Sequence, residues 1–118
     1  MEHFAVRREG ICIEAELRMI GADLLVLVYG GDSPHIGAVS LAGPAAGPES
    51  GLVLEGHRDD AVTRMLSERL SKSWDATVCV AGGIHIDGIT GAQIKLVLEL
   101  CEELAGELEE RLAERTGG

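Results

Sequence analysis

The chain has 118 residues, 46% of them hydrophobic but only 3% aromatic, and a formal net charge of −10 from 20 acidic and 10 basic residues. That length predicts one domain, residues 1–118, with an aliphatic core that removes roughly two-thirds of the unfolded surface from water. The acid excess excludes an ordinary nucleic-acid binder, because neutralising phosphates needs clustered Lys and Arg.

Cys12, Cys79 and Cys101 are odd in number, far apart and without a Cys-x-x-Cys spacing. They suit a reducing compartment in which thiols pack as small hydrophobes. The first eight residues lack the apolar stretch of a secretion signal, and no apolar run approaches membrane-spanning length. The expected location is therefore the cytoplasm, with no membrane partner.

In chain order, residues 3–9 can form a short first strand. Over Ile11–Ile20, Ile11, Ile13, Ala15, Leu17 and Met19 alternate with Cys12, Glu14, Glu16 and Arg18, the pattern of a half-buried strand with one wet face. Residues 21–23 turn the chain into a strand over 23–30, whose run Leu-Leu-Val-Leu-Val has no polar face. That run predicts a central strand covered on both faces. Residues 36–42 follow as a neighbouring strand, and the short links between successive strands predict antiparallel pairing. The Gly- and Pro-rich residues 43–51 read as a flexible connection, after which 52–54 add a brief strand.

A helix over about 58–73 puts Val62, Met65, Leu66, Leu70 and Trp74 at helical spacing, with Asp59 and Asp60 near its positive N-terminal end. Residues 77–81 form another strand. Thr90 is a suitable N-cap for a long final helix over about 91–114, with the apolar stripe Ile94, Val97, Cys101, Leu104, Leu108 and Leu112. The glutamates of that helix read as its solvated face. The order β-β-β-β-α-β-α predicts an α+β fold, one mainly antiparallel sheet covered by two helices. So apolar a sheet under only two helices also predicts a homo-oligomer.

Chemistry-bearing residues gather in three places: Gly31-Asp32-Ser33-Pro34-His35, Gly56-His57-Arg58-Asp59 and Gly83-Ile84-His85-Ile86-Asp87. Each lies where a strand ends or a helix begins. Gly-rich turns and helix N-termini present N–H groups to anions, and Arg58, His35, His57 and His85 add directional donors, so a phosphate-bearing ligand is one reading. Ordinary turn chemistry is the other, since Gly-Gly and Asp are common turn residues. The two loops around His35 and His85 are expected to lie together and line one pocket.

No Gly-x-x-x-x-Gly-Lys-Ser/Thr is present, so a P-loop is excluded. His35, His57, His85, Asp32 and Asp87 match no zinc-ligand spacing, and no metal is expected. Ser33 and the cysteines have no paired base nearby in sequence, so no catalytic residue is assigned and nothing identifies a reaction.

Three motifs together carry a resemblance: Tyr-Gly-Gly-Asp-Ser-Pro-His-Ile-Gly-Ala-Val-Ser-Leu at 29–41, Gly-His-Arg-Asp-Asp at 56–60, and Val-Ala-Gly-Gly-Ile-His-Ile-Asp-Gly-Ile-Thr at 80–90. In that order they resemble the small prenylated-flavin chaperone-like proteins, the subunit-D type companions of hydroxyarylic-acid (gallate-type) decarboxylases. The fold of those proteins is similar to that of the proteasome assembly chaperones. The resemblance implies a non-catalytic protein that binds or delivers prenylated FMN, or a related phosphate-bearing ligand, to a flavin-dependent decarboxylase. The implied ligand contacts are Gly30, Gly31, Asp32, His35, His57, Arg58, Gly83, His85 and Asp87. Only Tyr29 among the aromatic residues is near the loops, so the residues themselves speak for phosphate recognition over ring stacking. Two other readings stand beside this one: a protein assembly chaperone without ligand, and a small enzyme acting on a phosphorylated metabolite.

Overall fold

The structure is a computed structural model that describes residues 2–44, 47–53 and 60–116. The elements are β1 (Glu2–Arg8), β2 (Ile11–Ile20), β3 (Asp23–Gly31), β4 (Ala38–Gly43), β5 (Gly47–Val53), α1 (Asp60–Trp74), β6 (Val78–His85) and α2 (Gly91–Thr116). The fold is α+β, as expected. All six strands form one sheet in the order β1-β2-β3-β6-β4-β5. The β3–β6 pair is parallel and the other four pairs are antiparallel.

Two expectations about the strands fail here. The strand after the first Gly-Gly loop is not the neighbour of β3, because β6 lies between β3 and β4. The link between Gly31 and Ala38 explains how. Six residues are too many for a tight two-residue hairpin, and they readily span two strand spacings, about 10 Å. The Gly- and Pro-rich residues read as a flexible connection also hold most of β5, which pairs with β4 from Gly47 onward through a shift of register after Leu41.

The alternation in β2 sorts its two faces. Ile11, Ile13, Ala15 and Leu17 are buried, and they share a layer with Leu24, Val26 and Val28 of β3 and Val78 and Val80 of β6. Both helices lie on that face, α1 against β4, β5 and β6, and α2 against β1 and β2. Leu66, Leu70, Leu100, Leu104 and Leu108 meet the sheet with no exposed surface. Each such side chain contributes about 1.5–3 kcal/mol by leaving water.

The inward face of α1 also carries Thr63, Ser67 and Ser71, whose hydroxyls are satisfied locally. Ser67 and Ser71 donate to the carbonyls of Arg64 and Glu68, and Thr63 shares a 2.8 Å bond with Ser40 of β4. These small side chains leave no buried polar side-chain atom unpaired among the described residues. The helices are clipped together by Arg69, which donates from two nitrogens to Glu109 and holds its carboxyl below the usual range.

Thr90 and Gln93 form a reciprocal cap at the start of α2, each side chain bonded to the other's backbone N–H. The inward stripe of α2 is Leu96, Val97, Leu100, Cys101, Leu104, Leu108 and Leu112. Ile94, assigned to the stripe from spacing, is 48% exposed.

Among the described residues, the opposite face of the sheet carries no helix. Leu25 and Leu27 of β3, Tyr29, Cys79, Ala81 and Val39 are only half-buried there, and Leu41 is exposed. The apolar run of β3 was expected to be covered on both sides. It is central, but covered on one.

Candidate functional site

The parallel pairing of β3 with β6 decides where the loops go. Gly31 stands opposite His85 in the ladder, so both strands end at the same edge of the sheet. The 32–37 loop then passes across the end of β6 to reach β4. Asp32 and Ser33 donate their N–H groups to the His85 carbonyl at 2.7 and 3.3 Å, and Gly37 donates to the Gly82 carbonyl at 3.0 Å. From the other loop, the Asp87 N–H donates to Asp32 Oδ2 at 3.0 Å. His35 and His85 come within 6.3 Å of each other, ring edge to ring face. His85 Nε2 lies 2.9 Å from Asp87 Oδ1, and His35 Nδ1 lies 3.0 Å from the Ser33 carbonyl.

This crossing explains the glycines. At Gly82, φ is +152°, and a Cβ there would lie 1.6 Å from the Val28 carbonyl oxygen. At Gly31, φ is +81°, and a Cβ would lie 2.2 Å from the His85 carbonyl oxygen. Both positions need backbone that L side chains rarely adopt, and neither leaves room for one. Glycine at these positions thus serves strand packing. Four N–H groups that an anion would need, those of Asp32, Ser33, Gly37 and Asp87, are already spent inside the protein.

Of the residues assigned from sequence, the structure brings Gly30, Gly31, Asp32, His35, Gly83, His85 and Asp87 to one edge. Gly30 and Gly83 are buried within their strands, while Asp32, His85 and Asp87 are exposed. His57 and Arg58 lie outside the described residues. Among the described residues, no three His, Cys, Asp or Glu are grouped to hold a metal ion. No helix among them is long and apolar enough to cross a membrane.

Beside the loops, on the uncovered face, is a cleft of about 260 Å³. Leu27, Tyr29, Ala81 and Gly82 line it from the strands, and Pro34, His35 and Ile36 from the crossing loop. Its surface is almost wholly apolar. Ile36, at 66% exposure, is the most exposed large apolar residue at its rim. The Tyr29 hydroxyl donates to Glu16 Oε2 at 2.7 Å, and that bond, with burial second, pushes the phenol up to about 12. The ring is thereby tethered across two strands.

Sequence reasoning missed most of this lining. Leu27 and Ala81 look like any strand residues, and Ile36, read as the start of a strand, lies in the loop before β4. A larger groove of about 440 Å³ runs between β1 and the end of α2, with Glu2, Glu107, Glu110 and Glu114 around it. Glu2 is held there by Arg111 and Arg115. Its carboxylates repel a phosphate-bearing ligand, so the smaller apolar cleft is the better candidate site.

Residues 7–113 match the family described as the prenylated flavin chaperone LpdD-like domain. Protein LpdD of Lactiplantibacillus plantarum is 29% identical over 112 residues, covering 92% of this chain and 82% of that protein.

Proposed function

We propose, since the chain belongs to the prenylated flavin chaperone LpdD-like family, that it is a non-catalytic carrier of prenylated FMN for a flavin-dependent decarboxylase in the cytoplasm. The observation that carries this reading is the apolar cleft beside the paired loops, lined by Leu27, Tyr29, Pro34, His35, Ile36, Ala81 and Gly82. At about 260 Å³ the cleft is smaller than the roughly 300–1,000 Å³ of complete small-molecule sites. It suits the ring end of such a cofactor, with hydrocarbon against Leu27, Ala81 and Ile36 and the tethered Tyr29 ring as its one aromatic wall.

The phosphate end then lies outside the cleft, along the loop edge. Because four loop N–H groups are engaged internally, phosphate recognition falls to side chains, with His35 and His85 nearest and His57 and Arg58 as further donors. Asp32 and Asp87 serve to pin the loops together. When bound, the modified flavin would supply its own ring chemistry to the client enzyme; the residues here hold and shield the ring.

Titration of the purified protein with reduced or prenylated FMN tests this, read by native mass spectrometry. Uptake of one flavin per chain is expected, and Ala81→Leu, which fills the cleft floor, should abolish it. A charge-assisted hydrogen bond is worth about 1.5–3 kcal/mol, so His35→Ala or Arg58→Ala should weaken binding by about tenfold or more. No flavin uptake by the wild-type chain, or undiminished uptake by Ala81→Leu, would overturn the proposal.

A further inference from the structure

The sheet has six strands, and among the described residues only one of its faces is covered. The molecule is correspondingly thin, with extents of 42 × 29 × 21 Å. The bare face has an apolar centre, formed by Leu25 and Leu27 of β3, Cys79 and Ala81 of β6, and Val39 and Leu41 of β4, which the ladder places side by side. At about 4.8 Å per strand and about 3.4 Å per residue, six strands of some seven residues present roughly 700 Å². A stable interface takes about 800 Å² from each partner, so this face is close to the right size for one.

Charge says what the partner is. The chain carries −10 overall, and two copies should repel across most of their surface. The acid is concentrated on the helix side, where α2 alone holds Glu99, Glu102, Glu103, Glu107, Glu109, Glu110 and Glu114. On the bare face of β1, β2, β3, β4 and β6, between the strand ends, the charged side chains are Arg7, Arg18, Glu14 and Glu16, which cancel. Glu14 is bonded to His3 and Glu16 to Tyr29, while Arg18 is exposed and has no acidic partner among the described residues. On one strand, Glu14, Glu16 and Arg18 make a short self-complementary row. A two-fold axis lying between the two faces and perpendicular to β2 would set each Arg18 toward the carboxylates of the other copy.

We infer that a second copy of this chain seats on the uncovered sheet face, giving two sheets packed face to face with the helices outermost. Leu27, Tyr29 and Ala81 lie on the same face, so the second copy walls the open side of the cleft.

The test is the mass of the chain in solution, and it needs no flavin, so it stands or falls apart from the carrier reading. Light scattering at tens of micromolar should give about twice 12.4 kDa. Leu25→Glu combined with Leu41→Glu, neither of which lines the cleft, should halve that mass while the far-ultraviolet circular dichroism is unchanged. Ile94→Glu with Leu98→Glu, on the exposed side of α2, should leave the dimer intact. A wild-type monomer, a dimer that survives the sheet-face pair, or a dimer lost only with the helix pair would each overturn the inference. Should the sheet-face variant fail to fold, alkylation of Cys79 in the wild type decides. Its rate should rise at least several-fold on dilution to the monomer, and a rate independent of concentration would refute the interface.

Discussion

The two faces of one sheet have been put to opposite uses. Under the helices, Ile13, Leu17, Val26, Val28 and Val80 are packed against leucines from α1 and α2 and have essentially no contact with water. On the other side, the same strands show Glu14, Glu16, Leu25, Leu27 and Tyr29, half-buried and without cover. Alternation along each strand separates the two sets, so one can change without disturbing the other. Stability resides in the first face. The cleft, the tethered tyrosine and the neutral charge pattern all belong to the second.

The comparison breaks most sharply at Gly82, where the two faces share one backbone constraint. Gly82→Ala forces a Cβ against the Val28 carbonyl at a φ that alanine rarely adopts, separating β6 from β3. Loss of the cooperative thermal transition is expected. A variant that melts within a few degrees of the wild type would show that the β3–β6 contact is not as tight as described.

A milder pair of changes sharpens the contrast. Leu104→Ala, on the covered side, should lower unfolding free energy by about 2–5 kcal/mol in urea titration, with flavin binding intact wherever the chain remains folded. Leu27→Ala, on the bare side, should cost less than half as much stability while weakening flavin uptake. Equal stability losses from the two would erase the distinction between the faces.

How much of this was legible beforehand depends on whether the signal was local. Thr90 and Gln93 lie three residues apart, and the Thr90 cap could be read directly. The alternation of β2 named its buried side correctly because its other side is polar. Residues 24–28 are apolar at every position, so periodicity held no information about which face is bare. The insertion of β6 between β3 and β4 joins residues some fifty positions apart, and no local pattern encodes it. The similar composition of two loops suggested that His35 and His85 would meet. The physical cause is the register that sets Gly31 beside His85. The cleft was the least legible part, being assembled from three separate stretches of ordinary residues.

The smallest expected effect concerns the tether on the bare face. Tyr29 is the only tyrosine in the chain, so its ionisation can be followed alone by ultraviolet difference absorbance. Its hydroxyl donates to Glu16, and this bond foremost, then burial, then the negative charges of Glu16 and Glu14, push it up to about 12 from an ordinary value of 10.0. The raised value means that the folded state holds the phenolic proton more tightly than the unfolded chain does. The stabilisation is therefore fully present below about pH 10 and is lost as pH rises through about 12. Glu16→Gln keeps the side-chain length and removes the charge, so the phenol should titrate closer to its ordinary value while the fold at neutral pH is unchanged. If the wild-type phenol already titrates near 10, the tether is absent in solution, and Tyr29 is a free ring rather than a fixed wall of the cleft.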